Sequence, residues 1–125
     1  MSPQNVTILI IDDDAVLRSL IGSVLRQEGY TVVGDAPSAE SGLKVFDATP
    51  TDLVLLDINL PGMDGMSLLP ELLAKPNAPK VIMVSGEATL DKVKGALSAG
   101  ASGFVVKPIS ANKLLSAVSF AISGK

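Results

Sequence analysis

The 125-residue chain contains no cysteine, no histidine and no tryptophan, and its aromatic content is 3%. Without cysteine there is no disulfide and no thiolate metal site. Without histidine, a zinc site, a histidine general base and a Ser-His-Asp triad all lose a central residue. The apolar runs are strand length, well short of the ~20 residues a membrane-spanning helix needs. No basic patch of the kind that binds nucleic acid is present, and the net charge is −3. The opening stretch MSPQNVTILIIDDD has no basic leader and meets three aspartates too early for a signal peptide, so the expected location is cytoplasmic. After Asp91 there is no Asp or Glu.

What is present is globular. Apolar residues make up 47% and charged residues 18%, a balance that suits a folded core. The length suits one domain, expected over residues 1–125. Short β-branched runs alternate with amphipathic runs of helical period. Val6–Ile11 reads as a buried strand. A helix follows, capped by Asp14, with Leu17, Leu20, Ile21, Val24 and Leu25 at three- and four-residue spacing and Gly29 as its stop. Tyr30–Gly34 is a second strand, and Ser38 caps a helix with Ala39, Gly42, Leu43 and Phe46 on one face. Asp52–Leu56 is a third strand, leading to Asp57 and the turn-rich NLPGMDG, in which Asp64 reads as a loop residue. A helix over 65–74 carries Met66, Leu69, Leu72 and Leu73 and is closed by Pro76 and Pro79. Lys80–Val84 is a fourth strand, ending at Ser85. Leu90, Val93 and Leu97 mark a fourth helix stopped by Gly100. Gly103–Val106 is a fifth strand, and Leu114, Val118 and Ile122 mark the last helix. Five β-α units imply a parallel sheet covered by helices on both faces.

In open α/β sheets, ligands bind beyond the carboxyl ends of the strands. At those ends the sequence places Asp12, Asp13 and Asp14 after strand one, Asp57 after strand three, Ser85 after strand four and Lys107 after strand five; strand two offers only Asp35. Clustered carboxylates repel one another and take up protons unless a cation offsets them. A hard divalent ion with oxygen ligands does so, and magnesium combines one or two carboxylates with waters and a phosphoryl oxygen. A carboxylate beside it can accept a phosphoryl group, with an ammonium and a hydroxyl to stabilise the transferring oxygens. Taken singly, Ser85 reads equally as a turn serine, Lys107 as a solvated lysine and Phe104 as a core residue.

The segments ILIIDDDAVLR, DLVLLDINLPGMDG, VIMVSGEA and ASGFVVKPI together resemble response-regulator receiver domains over essentially the whole chain. The resemblance implies a flavodoxin-like, doubly wound (βα)5 sheet in the order 2-1-3-4-5. It implies Asp57 as phosphoacceptor and Mg2+ or Mn2+ held by Asp13, Asp12, Asp57 and the backbone carbonyl of Asn59. Ser85 would be the switch hydroxyl, Lys107 its partner at the phosphoryl group, and Phe104 the switch aromatic. The Lys107–Pro108 bond would be cis. The phosphoryl donor would be a sensor histidine kinase or a histidine phosphotransfer protein. Output to a downstream protein would run through the face of helix four, strand five and helix five. Asn59 and Glu87 flank the acceptor and the switch hydroxyl, where polar residues in such domains accompany rapid loss of the phosphoryl group. The chain would be a self-phosphorylating and self-resetting signalling switch more than a metabolic enzyme.

Three other readings compete. DDDAV at Asp12–Val16 fits the D-x-D-x-[TV] signature of haloacid-dehalogenase-like phosphatases, with Asp12 as nucleophile and Asp14 as acid. That family needs a late acidic pair, which is missing, and it leaves Asp57 unexplained. A flavodoxin-like electron carrier would need a Ser/Thr/Gly-rich phosphate loop where three aspartates stand. A receiver-like binding module that is never phosphorylated keeps every residue and changes only the chemistry. The last helix, with Lys113 before the terminal Lys125, presents Ser116, Ser119 and Phe120. That weakly charged face reads equally as a partner or homodimer interface and as a helix poor in charge.

Overall fold

A computed structural model describes residues 5–87 and 89–123. Ala88 and Lys125, both in segments named above, lie outside them. The elements run β1 (Thr7–Ile11), α1 (Ala15–Gln27), β2 (Thr31–Ala36), α2 (Ala39–Ala48), β3 (Leu53–Asp57), α3 (Gly65–Leu73), β4 (Lys80–Ser85), α4 (Leu90–Ser98), β5 (Gly103–Val106) and α5 (Ala111–Ser123). The five strands are parallel, in the order β2-β1-β3-β4-β5. The expected α/β class and strand order are therefore observed.

Strand alternation builds two cores. Ile8, Ile10, Leu53, Leu55, Ile82 and Val84 point to α1 and α5, where Ile21, Leu25, Leu114 and Val118 meet them. Leu9, Ile11, Val54, Leu56, Val81 and Met83 point the other way, to Phe46, Leu68, Leu69, Leu72 and Ala96. Because both faces are covered, the strands read as continuous apolar runs rather than alternating ones. The central strand β3 is buried at every position, Asp57 included.

The helix stops are legible. Gly29 and Gly100 take φ of 101° and 105°, a conformation that residues with a Cβ rarely adopt. Asp14 and Ser38 cap α1 and α2, accepting from the N–H groups of Leu17 and Ser41.

Four details depart from the sequence expectation. β2 runs on to Ala36, because its pairing with β1 skips Val33: Ile8 pairs with Val32 and Leu9 with Gly34. Asp64 is not a plain loop residue. Its carboxylate caps α3, accepting from Met66 and Ser67. Leu20 is exposed (54%), since α1 turns Ile21 and Leu25 to the sheet. Leu90 and Leu97 are also exposed, at 67% and 49%. α4 packs through Ala96, and both leucines are turned away from that contact toward solvent.

Candidate functional site

The β1–α1 turn, the end of β3, the end of β4 and the end of β5 meet at one edge of the sheet. The register places them there: Ile11 pairs with Leu56, Asp57 with Val84, and Ser85 with Val106. The next residues, Asp12 and Lys107, extend β1 and β5. The winding reverses between β1 and β3, so a crevice opens at their carboxyl ends.

Into that crevice the structure brings Asp12, Asp13 and Asp57, each with a carboxylate oxygen within 4.8 Å of the others. Asp12 and Asp57 are buried, and Asp13 is exposed. Two negative groups at a sheet edge need a counter-charge. Lys107 supplies it: Nζ stands 3.2 Å from Oδ2 of Asp12 and 3.3 Å from Oδ2 of Asp57. The Lys107 backbone N–H donates to the Ser85 carbonyl at 2.8 Å, which ties β5 to β4 at this point. The Lys107–Pro108 peptide is cis, as the resemblance implied.

The remaining atoms are committed too. Oδ1 of Asp57 accepts from the Asn59 N–H at 3.2 Å, and Oδ1 of Asp12 accepts from the Asp14 N–H at 2.9 Å. Ser85 is fully buried, and its Oγ accepts from the Glu87 N–H at 3.1 Å. Among the described residues no buried side-chain nitrogen or oxygen lacks a partner. Burial raises the Asp57 carboxyl above the usual carboxylate range, and the field of Asp12 adds to this. The Asn59 N–H and Lys107 oppose the rise without cancelling it. For Lys107, burial pulls the ammonium down, but its hydrogen bond to Asp12 and the fields of Asp12 and Asp57 outweigh that and hold it above its ordinary value.

The structure thus gathers Asp12, Asp13, Asp57, Lys107 and the Asn59 backbone around one point. Ser85 lies at the same edge. Phe104 does not line the pocket. It is half-buried on β5, packs against the α2–α3–α4 core, and borders a surface groove with Asn112, Lys113 and Ser116. Glu87 is exposed and pairs with Lys92 at 2.9 Å. Asp14 turns to cap α1, so the acid that a haloacid-dehalogenase-like reading requires is engaged elsewhere.

Two participants escaped the sequence reading. Arg18 reaches back from α1 to the Asp12 carbonyl. Gly65 starts α3 so close to β3 that a Cβ there would overlap the backbone of Asp57 and Ile58. Only the glycine carried a local signal, standing directly after a capping aspartate.

The profile of the response regulator receiver domain matches residues 8–119. The chemotaxis protein CheY of Listeria monocytogenes is 35% identical over 111 residues, covering 89% of this chain and 93% of that protein. RegX3, a sensory transduction protein of Mycolicibacterium smegmatis, is 39% identical over 114 residues; these cover 90% of this chain but 48% of RegX3. Among solved structures, a CheY-like receiver domain protein from Methanospirillum hungatei superposes with a TM-score of 0.86 at 34% identity, covering 95% of this chain and 94% of that one. CheY of Borrelia burgdorferi, solved with CheX, beryllofluoride and magnesium, gives 0.89 at 26% identity, covering 98% of both chains. On this sequence match, with the fold and the acidic crevice in agreement, the chain belongs to the response regulator receiver domain family.

Proposed function

We propose that Asp57 accepts a phosphoryl group from a phosphohistidine donor in the presence of Mg2+ or Mn2+, and that the product is a changed protein-binding surface. The observation that carries this is the placement of Asp57. It is a buried carboxylate at the end of the central strand, within reach of two further carboxylates and of one ammonium.

A divalent ion fits the donor set. The cluster offers oxygen ligands only, which suits a hard cation. Asp12, Asp13 and Asp57 would hold it, with the Asn59 carbonyl as the resemblance implies. Bound there, it would neutralise the carboxylates and the oxygens of the transferring group. In the transfer, an Asp57 carboxylate oxygen forms a bond to phosphorus as the P–N bond breaks. The bonding pair leaves with the imidazole nitrogen, which is reprotonated from solvent. Lys107 turns from Asp57 to the phosphoryl oxygens, and the Ser85 hydroxyl donates to them. Hydrolysis of the acyl phosphate returns the carboxylate and inorganic phosphate.

Phosphorylation then selects between two arrangements of the same fold. Ser85 leaves the Glu87 N–H, Phe104 on the adjacent strand follows, and the α4–β5–α5 face changes. The donor is a sensor histidine kinase or a histidine phosphotransfer protein, the target is another protein, and the setting is the cytoplasm. Among the described residues no helix is long and apolar enough to cross a membrane. The beryllofluoride and magnesium in the Borrelia CheY complex support the same chemistry.

The test is beryllofluoride, a phosphoryl mimic, added to 15N-labelled protein with and without Mg2+. The expected result is magnesium-dependent amide shifts at Asp57, Ser85 and Lys107 that spread to Phe104. No shift at any of these positions would contradict the proposal and favour the binding module that is never phosphorylated.

A further inference from the structure

We infer that Arg18 is a positioning residue for the acidic crevice: it fixes the peptide of Asp12 and so sets how tightly the crevice holds a divalent cation. The inference rests on the metal-dependent reading above and adds to it a residue from outside the crevice.

Arg18 is the fourth residue of α1. Its Nη1 donates to the Asp12 carbonyl at 2.6 Å, and its Nε donates to Oδ1 of Asp35 at 2.9 Å. The Arg18 side chain is only 15% exposed, against 46% for Asp35. A guanidinium is planar and its donors form a rigid fork, so a bond at each prong constrains both partners. Here the partners are the turn after β1 and the end of β2. Asp12 is then held at four points. Its N–H donates to the Ala36 carbonyl at 3.0 Å, its carbonyl is held by Arg18, Oδ1 by the Asp14 N–H, and Oδ2 by Lys107. The extension of β2 to Ala36 brings Asp35 to the place where it can anchor this clamp.

The arrangement has an electrostatic penalty. The guanidinium is a cation, and it stands behind a crevice that attracts a dication. Acting through charge alone, it would repel the ion, and its removal would tighten binding. Acting by orientation, its removal frees the Asp12 peptide and loosens binding in spite of the lost repulsion. The two effects have opposite signs, so one titration separates them.

The experiment is a MgCl2 titration of the full chain, followed by amide NMR shifts, for wild type, Arg18→Lys and Arg18→Gln. Arg26→Gln, on the exposed side of the same helix, controls for general charge. Thermal unfolding of each metal-free protein is recorded alongside. Both Arg18 variants are expected to bind Mg2+ on the order of tenfold more weakly, the scale of an outer partner of a metal ligand, with Arg26→Gln unchanged. A merely structural role would lower the unfolding midpoint and leave the affinity of the folded protein as it was. Affinity equal to or tighter than wild type in Arg18→Gln would overturn the inference. Should that variant not fold, wild-type affinity in Arg18→Lys, which keeps the charge but loses the fork, would overturn it equally. A wild type that binds no Mg2+ would overturn this inference and the metal-dependent reading together; normal wild-type binding with unaffected variants would overturn this inference alone.

Discussion

Lys107 and Asp57 lie 50 residues apart in the chain, yet Nζ of one is 3.3 Å from Oδ2 of the other. The same ammonium reaches Asp12, so a single cation balances two buried carboxylates. Its removal leaves Asp12 and Asp57 facing each other. Lys107→Ala is expected to destabilise the metal-free protein by about 1–3 kcal/mol, below the cost of breaking a fully buried pair because Lys107 keeps some contact with water. Mg2+ replaces the missing charge. In thermal unfolding, added Mg2+ should therefore raise the midpoint of Lys107→Ala more than that of wild type. An equal rise in both would mean that lysine and metal do not share the same two carboxylates.

Asp57 is held above the usual carboxylate range by burial and by Asp12. For an acid whose folded value exceeds its unfolded one, the protonated fold is favoured. The contribution to stability is full below the unfolded value and is lost as pH rises through the folded value. At neutral pH the ionised Asp57 therefore weakens the metal-free protein. Asp57→Asn should raise its midpoint at pH 7 by about 3–5 °C. The gain should shrink as pH falls toward the ordinary carboxylate range, where wild type recovers its proton. An advantage that stays constant over that span would assign the effect to packing rather than charge.

Gly65 has no room for a side chain, because a Cβ would meet the Asp57 carbonyl and the Ile58 Cα. Its N–H also donates to the Ile58 carbonyl at 2.7 Å. Gly65→Ala must push α3 away from the end of β3. A destabilisation of about 1–3 kcal/mol, in the range of overpacked cores, is expected in urea unfolding, together with slower phosphorylation by acetyl phosphate. Wild-type stability would show that the loop yields freely.

Asn59 and Glu87 stand two residues beyond Asp57 and Ser85, their backbone N–H groups donate to the Asp57 carboxylate and the Ser85 hydroxyl, and both residues are exposed. On the proposed function, they flank an acyl phosphate that water can reach. Phosphorylated wild type in Mg2+ should lose its phosphoryl group quickly, and replacing both residues with alanine should prolong its life. A wild-type half-life of many hours would contradict this.

The legible parts of the molecule were those with a local cause. Buried strands read as apolar runs, Gly29 and Gly100 stop helices by their backbone conformation, and Asp14 and Ser38 cap helices through contacts three residues on. The site was legible because a parallel sheet sends every carboxyl end to one edge, so strand ends alone brought Asp12, Asp57, Ser85 and Lys107 together. What escaped depends on distance in space. Arg18 acts across six residues to a carbonyl and across seventeen to Asp35, a span without periodicity. The skip at Val33 follows from pairing between strands. Leu90 and Leu97 have core spacing but face outward, because α4 packs through the small Ala96.

The most direct test of Asp57 as phosphoryl acceptor is intact-mass spectrometry after incubation with acetyl phosphate, with and without Mg2+, on wild type, Asp57→Ala and Asp12→Ala. One phosphoryl adduct is expected on wild type, dependent on Mg2+ and missing from Asp57→Ala. An adduct that persists in Asp57→Ala and vanishes in Asp12→Ala would contradict the assignment and move the nucleophile to Asp12.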